Sequence, residues 1–146
     1  MMIETDVLFA HVKEDGRLKR DAETLLAAID SGKLGKVYAS RECIHELHYL
    51  LKRAGFPPGE ALNKIGALTR IRNLEWPPTT TDADLLALSL VSMYGLTSIF
   101  DAYHAATCLL ADPEHMIVST DATYDQIPTI RRMDPRELAE HIRGKA

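Results

Sequence analysis

The sequence has few cysteines, no long apolar run and no excess of positive charge, and each shortage excludes a class of protein. Its two cysteines, Cys43 and Cys108, lie inside helical patterns without a C-x-x-C spacing, so we predict core residues and no disulfide framework. The apolar runs end well short of the ~20 residues that span a bilayer, and the N-terminus lacks a basic region followed by an apolar one. A cytoplasmic protein without a membrane segment is therefore expected. The net charge of −4 argues against a broad basic surface for nucleic acid.

Strand and helix patterns alternate along the 146 residues, which fit one domain over residues 1–146. Apolar spacing and turn residues predict strands over 1–9, 36–40, 115–120 and 129–133, and helices over 19–32, 40–54, 59–71, 81–96, 98–110 and 134–144. Residues 73–76 are too short to assign, and Thr81 with Asp84 fits a capping box at the start of one helix. The alternation predicts an α/β fold in which helices cover both faces of a mainly parallel sheet.

Acidic residues occur at four separated places that can all direct a carboxylate to one point: Glu4 with Asp6, Glu46, Asp101 and Asp121. Clustered carboxylates repel one another and are costly to bury, so such a cluster normally holds a divalent metal ion. On a strand, Glu4 and Asp6 point to the same face, and Asp121 follows another strand directly. Carboxyl ends of strands are where open α/β sheets bind ligands. The pattern therefore favours metal-dependent phosphodiester chemistry.

Each acid outside the first strand also has an ordinary structural explanation. Asp101 fits the third position of a capping box that begins at Ser98. Glu46 is positioned to pair with Lys52 or Arg53 along its helix, and Asp121 lies in a segment rich in turn residues. Glu4 and Asp6 are harder to explain in this way, because acids inside an apolar strand run against burial preference.

Four elements carry a family resemblance: the opening ETDVLFAHV, the inward Glu46, D-A-x-H-A-A-T from Asp101, and I-V-S-T-D-x-x-Y around Asp121 followed by I-P. Together they resemble a PIN-domain ribonuclease of the VapC-like toxin type over nearly the whole chain. The resemblance implies a three-layer α/β/α fold, one or two Mg²⁺ or Mn²⁺ ions and cleavage of single-stranded or loop RNA. It also implies frequent homodimers and inhibition by a small antitoxin protein.

The opening departs from the family pattern, in which an Asp is followed by Thr and then by Asn or Ser. Glu4 holds the position of that metal-binding Asp, whereas Asp6 holds the position of the Asn or Ser. Register favours Glu4 as the metal ligand and side-chain length favours Asp6, which we prefer slightly. The predicted ligands are thus Glu4 or Asp6 with Asp101 and Asp121. Ser119, Thr5 and Asp125 are the predicted supporting residues, Asp125 being as well explained by a surface role.

A metal-bound water that attacks the phosphorus in line is the expected mechanism, and Glu46 either orients that water or completes a second metal position. Nucleophilic catalysis by serine or cysteine is disfavoured, since no such residue has a recognisable paired base. His45, His48 and His104 do not form a zinc motif. Two other classes stay open: a Mg²⁺-dependent phosphohydrolase of doubly wound fold, and an inactive PIN-like module that binds RNA or a partner. A homodimer through the apolar helix at residues 84–96 is expected from the resemblance.

Overall fold

The computed structural model describes residues 1–145, in which five short strands form one parallel sheet. The strands are β1 (Met2–Ile3), β2 (Val37–Tyr38), β3 (Leu74–Glu75), β4 (Met116–Val118) and β5 (Arg131–Met133). They lie in the order β3-β2-β1-β4-β5, and each neighbouring pair is parallel. The predicted parallel sheet is confirmed, and the unassigned residues 73–76 supply its edge strand β3.

Seven α-helices connect the strands and cover both faces of the sheet. They are α1 (Thr5–Val12), α2 (Lys19–Asp30), α3 (Glu42–Arg53), α4 (Pro58–Thr69), α5 (Thr81–Tyr94), α6 (Ile99–Ala111) and α7 (Pro135–Gly144). Because side chains alternate along a strand, Ile3 and Val118 join the core under α1 to α4 and α7, whereas Met2 and Ile117 join the core under α5 and α6. The three-layer α/β/α architecture is confirmed.

The predicted first strand over residues 1–9 is wrong beyond Ile3, because α1 begins at Thr5. The Glu4 side chain caps this helix by accepting a hydrogen bond from Thr5 N, and Asp6 lies in the first turn, where the helix dipole favours an acid. Residues 7–12 are almost all apolar, so their pattern does not separate a buried strand from a buried helix. Glu4 and Asp6 therefore do not share the face of a strand.

Helix α5 also begins differently from the prediction. Thr80, not Thr81, is the N-cap, and its hydroxyl accepts a hydrogen bond from Ala83 N. Asp84 instead accepts a hydrogen bond from the hydroxyl of Tyr103. The predicted capping box was thus displaced by one residue in an acidic, threonine-rich segment.

Within residues 1–145, no single helix is long and apolar enough to cross a membrane. Helices α5 and α6 reach the required length and composition only as a pair, and they are bent at 115° to one another.

Candidate metal centre

The sheet places two functional segments side by side at its carboxyl edge. From β1 the chain proceeds outward to β2 and β3, then returns to the other side of β1 to form β4 and β5. The direction of winding changes between β1 and β4, and ligands of open α/β sheets bind at such a switch point. Glu4 follows β1, and Ser119 and Asp121 follow β4. These residues therefore lie at the switch point.

Glu4 is buried at this point, with only 5% of its surface exposed. Its Oε1 accepts a hydrogen bond from Thr5 N at 2.9 Å, and its Oε2 accepts one from the Ser119 hydroxyl at 3.1 Å. Burial raises the pKa of Glu4 to about 8, and the charges of Asp6, Glu46 and Asp101 add to the increase, while His104 opposes it. The ionised form of Glu4 would therefore be favoured by a nearby cation.

His104, on α6, is the nearest positive group to Glu4 and is completely buried. Its Nε2 lies 3.1 Å from Glu46 Oε1, 3.2 Å from Thr5 Oγ1 and 3.5 Å from Glu4 Oε1. Burial alone would lower its pKa, but contacts with Cys43, Glu46 and Glu4 hold the pKa of His104 well above its ordinary value. The imidazole therefore joins the carboxylates of Glu4 and Glu46.

Glu46 projects from α3 toward the same centre and does not pair with Lys52 or Arg53, the partners considered from the sequence. Although burial acts in the opposite direction, hydrogen bonds from His104 and Thr5 lower its pKa. Glu46 thus stays an ionised acceptor beside the buried Glu4.

Asp101 and Asp121 complete the acidic group and repel one another. Burial, followed by the charge of Asp121, raises the pKa of Asp101 to about 6. The Ser98 hydroxyl accepts a hydrogen bond from Asp101 N, so Asp101 lies in the first turn of α6 at the third position of the predicted capping box. Its carboxylate accepts a hydrogen bond from the Tyr124 hydroxyl at 3.4 Å. Asp121 caps a 3-10 helix (Ala122–Gln126) by accepting a hydrogen bond from Thr123 N. Both acids combine a local structural contact with a place in the cluster.

Asp6 has a different environment from Glu4. Its Oδ1 accepts a hydrogen bond from Val7 N, and its Oδ2 accepts hydrogen bonds from Thr120 N at 2.7 Å and Thr120 Oγ1 at 2.6 Å. Only Oδ2 therefore holds the loop after β4, whereas Oδ1 bonds within the first turn of α1. The shared strand face that would have let the ligand role move from Glu4 to Asp6 is absent, because α1 begins at Thr5.

The three supporting residues lie in distinct positions. Ser119 donates to Glu4 and Thr5 contacts His104, so both touch the cluster directly. Asp125 instead forms a two-point ion pair with Arg132, with oxygen to nitrogen distances of 3.0 and 3.1 Å. This places Asp125 in the surface role that the sequence also allowed.

His104 is the residue of the centre that the sequence reasoning missed. It was considered only for a zinc motif with His45 and His48, of which the structure shows His48 to be exposed. A spacing of three places His104 one helical turn after Asp101 on the same face of α6, and that spacing was the available signal.

The residues at this centre fit a divalent cation. Donor atoms from Glu4, Glu46 and His104 all lie within 4.8 Å of one another. Burial is the largest cause of the raised pKa values of Glu4 and Asp101, and neighbouring carboxylates raise them further, so a bound cation would favour the ionised forms of both acids. Carboxylate oxygens are the ligands that Mg²⁺ and Mn²⁺ prefer.

The family of the chain follows from its sequence as well as from this geometry. The model of the PIN domain family matches residues 1–129, and the chain belongs to that family. No curated protein matches the sequence.

Solved structures with the same fold come from bacterial toxin-antitoxin systems. A toxin-antitoxin complex from Klebsiella pneumoniae has 19% identity and a TM-score of 0.65, covering 92% of this chain and 96% of its own. VapBC2 of Rickettsia felis, bound to a DNA fragment from its promoter, has 14% identity and a TM-score of 0.68, covering 91% and 98%. VapC20 of Mycobacterium tuberculosis, a toxin that cleaves the sarcin-ricin loop, has 18% identity and a TM-score of 0.69, covering 87% and 94%.

Proposed function

We propose that the protein is a Mg²⁺- or Mn²⁺-dependent endoribonuclease of the PIN family that acts as the toxin of a toxin-antitoxin pair. The observation that carries this proposal is the convergence of Glu4, Glu46 and His104 at the switch point, with donor atoms within 4.8 Å of one another, beside Asp101 and Asp121. Buried carboxylates that are crowded in this way normally hold a divalent cation. The toxin role is supported by the similarity of the fold to VapC20 and VapBC2.

Each acid has a proposed task in hydrolysis. Glu4, Asp101 and Asp121 would hold the ion, while Ser119 and Thr5 keep the carboxylates of Glu4 and Glu46 in place. The bound ion would supply a nucleophilic water at neutral pH and stabilise negative charge on the phosphate. Because its pKa is lowered, Glu46 is an ionised acceptor that would orient such a water or help to hold a second ion.

A basic cleft at the far end of α1 is the proposed contact for the RNA backbone. The cleft has a volume of about 330 Å³ and is lined in part by Lys13, Lys19 and Lys64. Lys19 Nζ and Lys64 Nζ donate to the carbonyl oxygens of His11 and Val12, which fixes their charges at the end of the helix. An eight-residue helix is about 12 Å long, so these charges lie within a few nucleotides of the metal centre.

Sequencing the ends of RNA cut by the purified protein tests the activity. We expect cleavage that requires Mg²⁺ or Mn²⁺ and stops on chelation. Because the proposed nucleophile is water, replacing the 2′-hydroxyl at the cut site by hydrogen should leave cleavage intact. Asp121→Asn, purified in parallel, should lack the activity. Cutting by both proteins alike would indicate a contaminating nuclease, and no cutting by the wild-type protein would favour the inactive binding module.

The RNA contact has its own matched pair of variants. Lys64→Glu should weaken RNA binding by about tenfold at low salt, whereas Lys36→Glu should not, because Lys36 pairs with Glu75 of β3 and does not line the cleft. Equal binding by the two variants would remove the cleft from the proposal.

We further propose that a small antitoxin covers an apolar groove between α3 and α4. The groove has a volume of about 410 Å³ and is lined by Ile44, His45, His48, Pro58, Leu62 and Ile65. Leu62 is 71% exposed, which is unusual for a large apolar side chain without a partner. An amphipathic helix fits such a groove, and an Arg or Lys beyond it would reach Asp101 and Asp121.

Leu62→Glu tests this partner without touching the acids. Co-expression with the small protein encoded beside it should yield a complex that the substitution weakens by about thirtyfold or more. Leu110→Glu, at an exposed position of α6 in the opposite layer of the fold, is the control. If the neighbouring protein neither binds nor inhibits the nuclease, the toxin role fails and the nuclease role stands.

A further inference from the structure

His104 has no task in the reaction proposed above, although it lies at the middle of the carboxylate cluster. None of its side chain is exposed, and its Nε2 faces the carboxylates of Glu4 and Glu46. A buried imidazole in the core of a helical layer is costly unless both ring nitrogens have partners. The partners of its two ring nitrogens therefore indicate the role of His104.

The spacing of the donor atoms is that of ligands on one ion. With metal bonds of about 2.1 Å, adjacent ligands are about 3.0 Å apart in octahedral and about 3.4 Å apart in tetrahedral coordination. His104 Nε2 lies 3.1 Å from Glu46 Oε1 and 3.5 Å from Glu4 Oε1. The nitrogen is thus at ligand-like separations from both oxygens, and donor atoms of the three residues all lie within 4.8 Å of one another.

The other ring nitrogen fixes the direction of the imidazole. His104 Nδ1 lies 3.8 Å from the Sγ atom of Cys43, which is itself buried on α3. A histidine whose second nitrogen is held from behind presents the first one in a constant direction, as metal-binding histidines do. Asp101, one turn earlier on α6, approaches the centre from the same helix.

We propose that His104 Nε2 is a direct ligand of the metal ion, which displaces the proton of that nitrogen to solvent, and that this ligand makes the centre prefer Mn²⁺ to Mg²⁺. This inference rests on the proposed metal-dependent function. Mg²⁺ accepts oxygen ligands almost exclusively and keeps several waters, whereas Mn²⁺ also accepts imidazole nitrogen. One nitrogen among the carboxylates therefore selects against Mg²⁺ without preventing the chemistry.

Pulsed electron paramagnetic resonance of the Mn²⁺-loaded wild-type chain tests the ligand directly and requires no activity. We expect a nitrogen coupling from a bound imidazole that changes when the protein is labelled with ¹⁵N-histidine. Bound Mn²⁺ without this coupling overturns the inference and leaves the nuclease proposal intact. No bound Mn²⁺ at all overturns both, and coupling without any RNA cleavage counts against the nuclease proposal alone.

The metal preference is tested by calorimetric titration of His104→Gln, with His141→Gln at an exposed position of α7 as the matched control. In His104→Gln we expect affinity for Mn²⁺ to fall more than about tenfold while affinity for Mg²⁺ changes several times less. The control should bind both ions as the wild-type chain does. Equal losses for the two ions would show that His104 only positions Glu4 and Glu46, and would overturn the proposed selectivity. The spectrum of the wild-type chain decides the ligand even if His104→Gln does not fold.

Discussion

The carboxylate of Asp6 binds the main chain of Thr120, 114 residues away, with Oδ2 2.7 Å from the Thr120 nitrogen. The Thr120 hydroxyl lies 2.6 Å from the same oxygen. Two hydrogen bonds to a charged group tie the start of α1 to the segment that carries Asp121. Asp6 thereby stabilises the position of a predicted ligand, and the Ser119 hydroxyl, which donates to Glu4 at 3.1 Å, lies 3.4 Å from the same Asp6 oxygen.

From this contact we predict different effects for the two N-terminal acids. Glu4→Gln should lower metal-dependent RNA cleavage by more than about 100-fold, because it removes a buried charge that faces the ion. Asp6→Asn should lower cleavage less and should reduce the free energy of unfolding by about 1 kcal/mol, because the amide keeps only part of the contact with Thr120. Cleavage rates and thermal unfolding of both variants measure the difference. Complete loss of cleavage in a folded Asp6→Asn protein would restore Asp6 as the ligand.

The opening segment also shows what the sequence could and could not predict. The parallel sheet with helices on both faces followed from the alternation of strand and helix patterns, whereas the strand order did not. The helical state of residues 5–12 did not follow, because Val7, Leu8 and Val12 suit either a buried strand or a buried helix. Only the cap formed by Glu4 and the packing of both layers decide between them.

His104 could not be ranked from the sequence for a related reason. An alanine-rich helix with one histidine is equally compatible with an exposed, a core or a ligand role. Its contacts with Thr5, Cys43 and Glu46 join residues 99, 61 and 58 positions apart, and such contacts depend on the tertiary arrangement of α1, α3 and α6. Ser119 was predicted from the family resemblance, in which a Thr or Ser lies near the last acid, and its hydroxyl lies 3.1 Å from Glu4 Oε2.

Asp101→Asn should separate stability from activity. Burial and the charge of Asp121 raise the pKa of Asp101 to about 6, so its ionised form is disfavoured in the metal-free protein. We expect the substitution to raise the melting temperature of the metal-free protein while it abolishes cleavage. Differential scanning calorimetry with and without chelator, beside a cleavage assay, measures both effects. A lower melting temperature would mean that the hydrogen bond with Tyr124 outweighs the repulsion.

The stability of the metal-free protein should depend on pH in a defined direction. The pKa of Glu4 is raised from 4.5 to about 8 and that of Asp101 from 3.8 to about 6, so the folded chain binds more protons than the unfolded chain between these values. His104, whose pKa is also raised, acts in the same direction. The free energy of unfolding should therefore fall as the pH rises from about 4.5 to 8.

Thermal unfolding across that range in the presence of chelator measures this dependence. As the pH rises from about 4.5 to 8, we expect the free energy of unfolding to fall by about 2 kcal/mol less in Glu4→Gln than in the wild-type chain. This difference corresponds to at least about 4 °C in melting temperature. Glu14→Gln, an exposed substitution, should follow the wild-type curve. Parallel curves for the wild-type chain and Glu4→Gln would show that Glu4 ionises freely in the folded protein.

Asp125→Asn should leave the metal centre intact. Asp125 pairs with Arg132 at the surface, where an ion pair contributes only about 1 kcal/mol or less. We therefore expect unchanged Mn²⁺ affinity and nearly unchanged cleavage, in contrast to Asp121→Asn four residues earlier. Calorimetric titration of both variants provides the comparison. A large loss of Mn²⁺ affinity in Asp125→Asn would place this acid among the ligands.

The last prediction concerns a homodimer through α5. Leu85 and Leu88 are 60% and 55% exposed and lie one turn apart, so they form an apolar surface on the outer side of the helix. We expect the wild-type chain to sediment as a dimer and the double variant Leu85→Glu, Leu88→Glu to be a monomer, with dimer affinity reduced by about thirtyfold or more. Unfolding stability of the monomer should change little, because neither side chain belongs to the core. Leu62→Glu on α4 introduces the same charge elsewhere and should remain a dimer. A wild-type chain that sediments as a monomer at every concentration would rule out the dimer, and dissociation by both substitutions would place the contact outside α5.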